Sequence, residues 1–105
     1  MAWIYLFAAG LFEIVWATGM KYTHGFSRLW PTAGVLITMI LSVYFLSLAV
    51  KSIPVGTAYA VWTGIGIAGT SVLGMILFDE SVSVIRVLLI LLILAGIVGL
   101  KLLPE

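Results

Sequence analysis

Apolar residues dominate the chain in four long runs that short polar stretches separate. A helix that crosses the hydrocarbon core of a bilayer, roughly 30 Å thick, needs about 20 mainly apolar residues. Four segments reach that length, at about 2–20, 32–50, 53–78 and 82–103. Because a backbone in lipid must satisfy its own hydrogen bonds, the pattern predicts an all-α membrane protein. We expect residues 1–105 to form a single four-helix transmembrane domain.

The polar connections define two sides of the predicted bundle. Side A carries both ends of the chain and the Lys51–Ser52 turn, and side B carries residues 21–28 and the turn at 79–81. The first connection is closed by Pro31, so we expect the second helix to begin at Thr32.

Basic residues are nearly balanced between the two sides. Side B has Lys21, Arg28 and Arg86, and side A has Lys51 and Lys101. Positive charge in short loops sets the orientation of a membrane protein. The balance therefore predicts that the chain inserts in both orientations.

The composition supports a membrane protein and argues against several classes of function. The chain is 64% hydrophobic and 9% charged, whereas a soluble domain carries about 25% charged residues. A net charge of +1 without a basic cluster argues against a nucleic-acid partner. Without cysteine and with one histidine, the chain offers no thiol catalysis, disulfide or metal site. We therefore expect no enzyme and no cofactor.

Glu13 is the one charged residue between Met1 and Met20. At about 1.5 Å of rise per residue it lies roughly 16 Å from side A, near the middle of the membrane. An ionisable group is costly there, which indicates function rather than packing. Burial disfavours the charged form of a carboxyl group, so Glu13 is expected to hold a proton near neutral pH and exchange it for a cation. Competition of proton and cation for one site, with alternating access, is antiport.

Four further residues, on three helices, place polar or aromatic groups at a similar depth. Trp16 follows Glu13 by one turn and shares its face. Ser42 lies roughly 15 Å deep, and Tyr59 and Trp62 lie about 9 and 13 Å from side A. Aromatic faces attract cations, so these residues are candidates for lining a cation site. The alternatives are interfacial aromatics and a serine that bonds to its own helix.

Glycines mark places where something approaches a helix closely. Gly10 shares the face of Glu13, where a small residue admits either another helix or a ligand. Gly64 and Gly66 indicate either a hinge just past the aromatic pair or close helix packing. Gly96 and Gly99 indicate that the fourth helix packs closely against another helix, and this helix is a candidate for the dimer interface. Because four helices are too few to enclose a substrate site and to open it alternately to both sides, we expect an inverted homodimer.

The motifs FEIVWA, KYTHGFSRLWP, IPVGTAYAVWTGIG and AGIVGLK together resemble the small multidrug resistance family along the whole chain. Within it the chain resembles the guanidinium exporters, on the evidence of Trp16 and, less specifically, of Lys101. The resemblance implies an antiparallel homodimer in the bacterial inner membrane. It also implies proton-coupled export of guanidinium and small substituted guanidines.

The same resemblance implies roles for individual residues. Glu13 would bind substrate and protons alternately, and Trp16 and Ser42 would orient its carboxylate by hydrogen bonds. Tyr59 would act as a gate. Trp62 and Met39 would line the site.

Two other functions are compatible with the sequence. One is polyspecific export of quaternary ammonium or other lipophilic cations, which need aromatic walls and room rather than hydrogen bonds. The other is a non-transporting partner subunit of a hetero-oligomer, or a proteolipid-like proton-channel subunit. The balanced charge argues against an obligate heterodimer, whose members would each show a bias.

Overall fold

The computed structural model describes residues 1–103. Four α-helices cover most of this part of the chain: α1 (Ala2–Gly19), α2 (Leu29–Ala49), α3 (Val55–Leu77) and α4 (Val84–Leu102). A 3-10 turn, Met20–Thr23, extends α1. Each of the four helices is long and apolar enough to cross a membrane, and the described residues form no strand. The predicted all-α fold with four spanning helices is confirmed.

The connection at side B between α1 and α2 is built around Thr23. Its buried hydroxyl donates to the Met20 carbonyl at 2.7 Å and accepts from the Phe26 N–H at 3.1 Å. Helix α2 then begins at Leu29, three residues before the expected start at Thr32. Pro31 lies inside the first turn, where its missing N–H has no helical partner to lose.

The connection between α3 and α4 also lies at side B. The carboxylate of Glu80 lies 3.5 Å from the guanidinium of Arg86. Ser83 precedes α4, and its hydroxyl accepts from the Arg86 N–H at 3.1 Å, which caps the helix.

An apolar core fills the bundle toward side A. Helix α1 packs against α2 and α3, and α4 packs against α3. The buried cluster combines residues from the side A portions of all four helices and from the α2–α3 turn: Leu6, Ala49, Ile53, Ala58, Val61 and Ile97. This half of the protomer is closed by direct side-chain packing.

Glycines on α1 and α3 allow the helices to approach closely. A Cβ atom at Gly10 would lie 2.7 Å from the side chain of Ile65, and one at Gly64 would lie 2.7 Å from that of Ile97. Gly10 is thus a packing position between α1 and α3 in this protomer. Gly64 admits α4, and its expected role as a hinge stays a prediction.

Helix α4 leaves most of its surface uncovered. Gly96 and Gly99 are exposed, and a Cβ atom at either would meet nothing within 4 Å. Their expected role in dimer packing stays a prediction.

Candidate functional site

Glu13 extends from α1 directly onto Gly66 of α3. Gly66 is buried, and a Cβ atom there would collide with the carboxylate oxygen Oε1 of Glu13. Only glycine leaves room for the carboxyl group in this position. The sequence predicted a hinge or helix packing at Gly66, and the contact with Glu13 adds a third reason for a glycine.

A cavity of about 420 Å³ extends from Glu13 toward side B, between α1 and α3. Its inner end is formed by Glu13 and Gly66, and its outer end by Lys21, Phe78 and Glu80. Residues with hydroxyl groups line the cavity, with Thr63 beside the inner end and Thr18, Thr70 and Ser71 between the two ends. A cavity with hydroxyl-bearing residues in its wall therefore starts at the mid-membrane carboxyl group.

Several polar atoms around this cavity have unused hydrogen-bonding capacity. Oε1 of Glu13 and the hydroxyl oxygens of Thr18, Thr63 and Thr70 are buried and have no hydrogen-bond partner among the described residues. Buried polar groups in proteins normally find partners. Threonines in a helix commonly bond their own backbone, as Thr38 does to the Gly34 carbonyl at 2.9 Å. The bundle around the cavity thus contains buried oxygen atoms whose hydrogen bonds are unmade within the single protomer.

Ser42 lies outside this cavity and connects three helices. Its hydroxyl is fully buried, donates to the Ala9 carbonyl of α1 at 2.7 Å, and accepts from the indole N–H of Trp62 of α3 at 2.8 Å. Because the hydroxyl has one hydrogen, the bond to Ala9 leaves none for Glu13. The structure thus does not bring Ser42 into a hydrogen bond with Glu13. It shows a structural link where an orienting contact was expected.

The predicted aromatic residues are only partly brought together. The rings of Tyr59 and Trp62 lie 5.5 Å apart and are tilted by 45°. The indole N–H of Trp16 is buried and has no partner in the described part of the chain, so it does not bond Glu13 in the single protomer. Tyr59 is 57% exposed and Met39 is half-buried on α2. The gating, orienting and lining roles expected for these four residues stay predictions.

Sequence reasoning missed the hydroxyl groups of the cavity. A signal was present on α3, where Thr63, Thr70 and Ser71 follow the spacing i, i+7, i+8 and thus share one face. Gly66 and Gly74 lie on the same face. A row of small and polar residues along one side of a membrane helix marks the side that faces protein or water rather than lipid.

Known proteins similar to this chain agree with these features. Residues 1–93 match the family Small Multidrug Resistance protein. A guanidinium exporter of Yersinia pseudotuberculosis is 60% identical over 102 residues, which cover 97% of this chain and 98% of that protein. Guanidinium exporters of Proteus vulgaris and Salmonella typhimurium are 56% identical over 102 residues, which cover 97% of this chain and 98% and 97% of those proteins. With its four membrane-length helices and this match over most of its length, the chain is a multi-pass membrane protein that belongs to the small multidrug resistance family.

Proposed function

We propose that this chain exports guanidinium and small substituted guanidines across the bacterial inner membrane in exchange for protons. The observation that carries the proposal is the placement of Glu13. It is the one acidic side chain within the four helices, and it lies at the inner end of the cavity between α1 and α3. The relatives named guanidinium exporter support the choice of cation.

The chemistry of guanidinium suits such a site. The ion is planar, and its N–H groups can bond both oxygens of a carboxylate at once. It stays charged at physiological pH, so it competes with a proton for the carboxylate rather than delivering one. Binding of either ligand at Glu13 excludes the other, which couples the two movements.

We further propose that two copies form an antiparallel homodimer. In one protomer the cavity leads toward side B, whereas the core around Leu6 and Val61 fills side A. An inverted copy would direct its own cavity toward the opposite compartment and bring a second Glu13 to the same depth. The exposed face of α4, with Gly96 and Gly99, has room for a partner helix.

The proposed transport is tested by the current that reconstituted protein generates on a solid-supported membrane. Wild-type protein is perfused with guanidinium and then with tetrapropylammonium. We expect a current for guanidinium that Glu13→Gln abolishes. Asp79→Asn is the matched control, since it removes a carboxylate from an exposed loop position outside the cavity, and its current should equal that of wild type. Proton-coupled current in Glu13→Gln would contradict the single-acid mechanism.

Export of quaternary ammonium ions is the second candidate function. The cavity of about 420 Å³ has space for cations with substituents, which favours some tolerance of larger substrates. Trp16 occupies space on the helix that carries Glu13, so Trp16→Gly should increase the tetrapropylammonium current relative to the guanidinium current. An unchanged ratio would show that Trp16 does not select the substrate. Comparable currents in wild type would favour the multidrug function.

The proposed dual orientation is tested separately from transport. The chain has no cysteine, so a single introduced cysteine is a unique label site. His24→Cys places it at side B, and Ser52→Cys places it at side A, both at exposed positions. In intact cells an impermeant thiol reagent should label about half of each variant if both orientations are populated. Labelling of one variant alone would establish a single orientation.

Co-purification of a second small protein would support a hetero-oligomer.

A further inference from the structure

We propose that the carboxylate of Glu80 is a second guanidinium-binding site, at which the substrate displaces the chain's own guanidinium group, that of Arg86. The site lies at side B, at the outer end of the cavity, and is separate from Glu13. The proposal rests on the proposed function for the identity of the cation. It adds that the chain binds this cation weakly at the membrane surface, independently of the mid-membrane carboxyl group.

The turn between α3 and α4 directs Glu80 back onto α3. Asp79 adopts a left-handed conformation with a φ of 53°, and the Glu80 N–H donates to the Gly74 carbonyl at 3.2 Å. A Cβ atom at position 74 would collide with the Glu80 carboxylate, so the glycine provides the space that the carboxylate occupies. Glu80 is therefore positioned by the backbone of the turn and by the surface of α3.

Arg86 reaches this carboxylate through a single long contact. One guanidinium nitrogen lies 3.5 Å from one oxygen of Glu80, and each side chain is 39% exposed. In a tight charged pair the nitrogen and oxygen lie about 2.7–2.9 Å apart, often with both oxygens bonded. Exposed pairs contribute little to stability. Arg86 thus shows that a guanidinium group fits beside Glu80, and the loose contact leaves it open to replacement by a free ion that no side chain constrains.

The neighbouring groups at this end of the cavity determine which cation the site prefers. The ammonium of Lys21 lies 4.7 Å from the ring centroid of Phe78, so a positive charge is already placed against the ring face near Glu80. With this charge and that of Arg86 close by, attraction by charge alone is weak. Binding therefore depends on N–H groups that bond the Glu80 carboxylate, which favours guanidinium over a tetraalkylammonium ion.

Binding at Glu80 is measured in protein that lacks the Glu13 carboxylate. Full-length Glu13→Gln protein in lipid nanodiscs is titrated with guanidinium, and the backbone amide resonances of Gly74 and Glu80 are followed by NMR. We expect saturable shifts in the millimolar range that an added Glu80→Gln substitution removes. Asp79→Asn is the matched control, because it neutralises the adjacent carboxylate outside the cavity and should leave the titration unchanged. Shifts that persist in Glu80→Gln, or equal shifts with tetramethylammonium, would overturn the proposal.

Removal of the internal competitor tests the displacement of Arg86. In the Glu13→Gln protein, Arg86→Gln should lower the guanidinium dissociation constant about two- to fivefold, which is the strength of an exposed ion pair. Lys21→Gln is the control, since it removes the same charge from the same end of the cavity, where that charge lies on the Phe78 ring. Its effect should be smaller. An unchanged dissociation constant in Arg86→Gln, or equal changes in the two variants, would show that Arg86 does not compete for Glu80.

The outcomes separate this proposal from the proposed function. A wild-type guanidinium current without saturable shifts at Glu80 would overturn the second site and leave guanidinium export in place. Saturable shifts at Glu80 in a protein that gives no guanidinium current would support the second site and contradict the export proposal.

Discussion

Two halves of the bundle meet at Glu13 and differ in how the space between the helices is filled. Toward side A, the buried side chains of Leu6, Val61 and Ile97 pack against one another. Toward side B, a cavity of about 420 Å³ lies between α1 and α3, and threonine and serine residues are part of its lining. The bundle therefore has a packed apolar core toward one side and a cavity between α1 and α3 toward the other.

Helix α3 shows why the two halves differ. Its first turns bury Ala58 and Val61, whose side chains fill space and carry no polar group. Its later turns place Gly66, Thr70 and Gly74 along the cavity. Small residues leave room beside a helix, and the cavity lies where these residues line it. The cavity of one protomer lies toward one side, and the inverted copy proposed above would add a second cavity toward the other.

The largest effect is expected where the two halves meet. Gly66→Ala places a Cβ atom in the position of the Glu13 carboxylate and must displace it. We expect the initial guanidinium current to fall on the order of 100-fold, since misplacement of a binding group by about 1 Å has effects of that size. Gly34→Ala is the control, because a Cβ atom there would meet nothing within 4 Å. Similar currents for the two variants would show that the carboxylate does not need this space.

Truncation of the side A core should affect stability rather than selectivity. Leu6→Ala removes a side chain that is fully buried and leaves a void, which typically costs about 2 kcal/mol or more. The free energy of unfolding in a detergent titration, followed by circular dichroism, measures this. Leu11→Ala is the control on the same helix, with a side chain that is 63% exposed. Equal losses of unfolding free energy in the two variants would indicate that side-chain packing does not stabilise the side A half.

The link at Ser42 should have an intermediate effect. Ser42→Ala leaves the Trp62 indole N–H and the Ala9 carbonyl without their partner, and we expect a loss of about 1–2 kcal/mol in the free energy of unfolding. The indole N–H resonance of Trp62 should also shift in the NMR spectrum. Ser47→Ala removes a hydroxyl that bonds within its own helix and serves as the control. An unmoved Trp62 resonance would rule out the link and favour an orienting role at Glu13.

The smallest effect is expected at the membrane surface of side A. The ammonium of Lys101 lies 5.5 Å from the ring centroid of Trp3. Because Lys101 is exposed, Lys101→Gln should lower the free energy of unfolding by about 0.5 kcal/mol and leave the guanidinium current unchanged. A strong loss of current would give Lys101 a role in transport that its position does not suggest.

Residue patterns predicted much of this molecule, but not the contacts of its polar groups. Trp16 and Ser42, which were expected to bond Glu13, make no hydrogen bond to it within one protomer. The residue that touches it is Gly66, which has no side chain to signal an interaction. Depth along a helix follows from the rise per residue, whereas the rotation of one helix against another depends on packing that a single helix does not encode.

The sequence by itself determined the four spanning helices and the mid-membrane carboxyl group. Both follow from local rules, namely the length of apolar runs and the cost of a charge in lipid. Only the tertiary structure decided that apolar side chains fill the bundle near Leu6 and Val61, whereas a cavity remains beside Thr18 and Thr70. That difference arises because glycines and small residues let helices meet or part according to which side chains face one another, a property of pairs of helices rather than of any one segment.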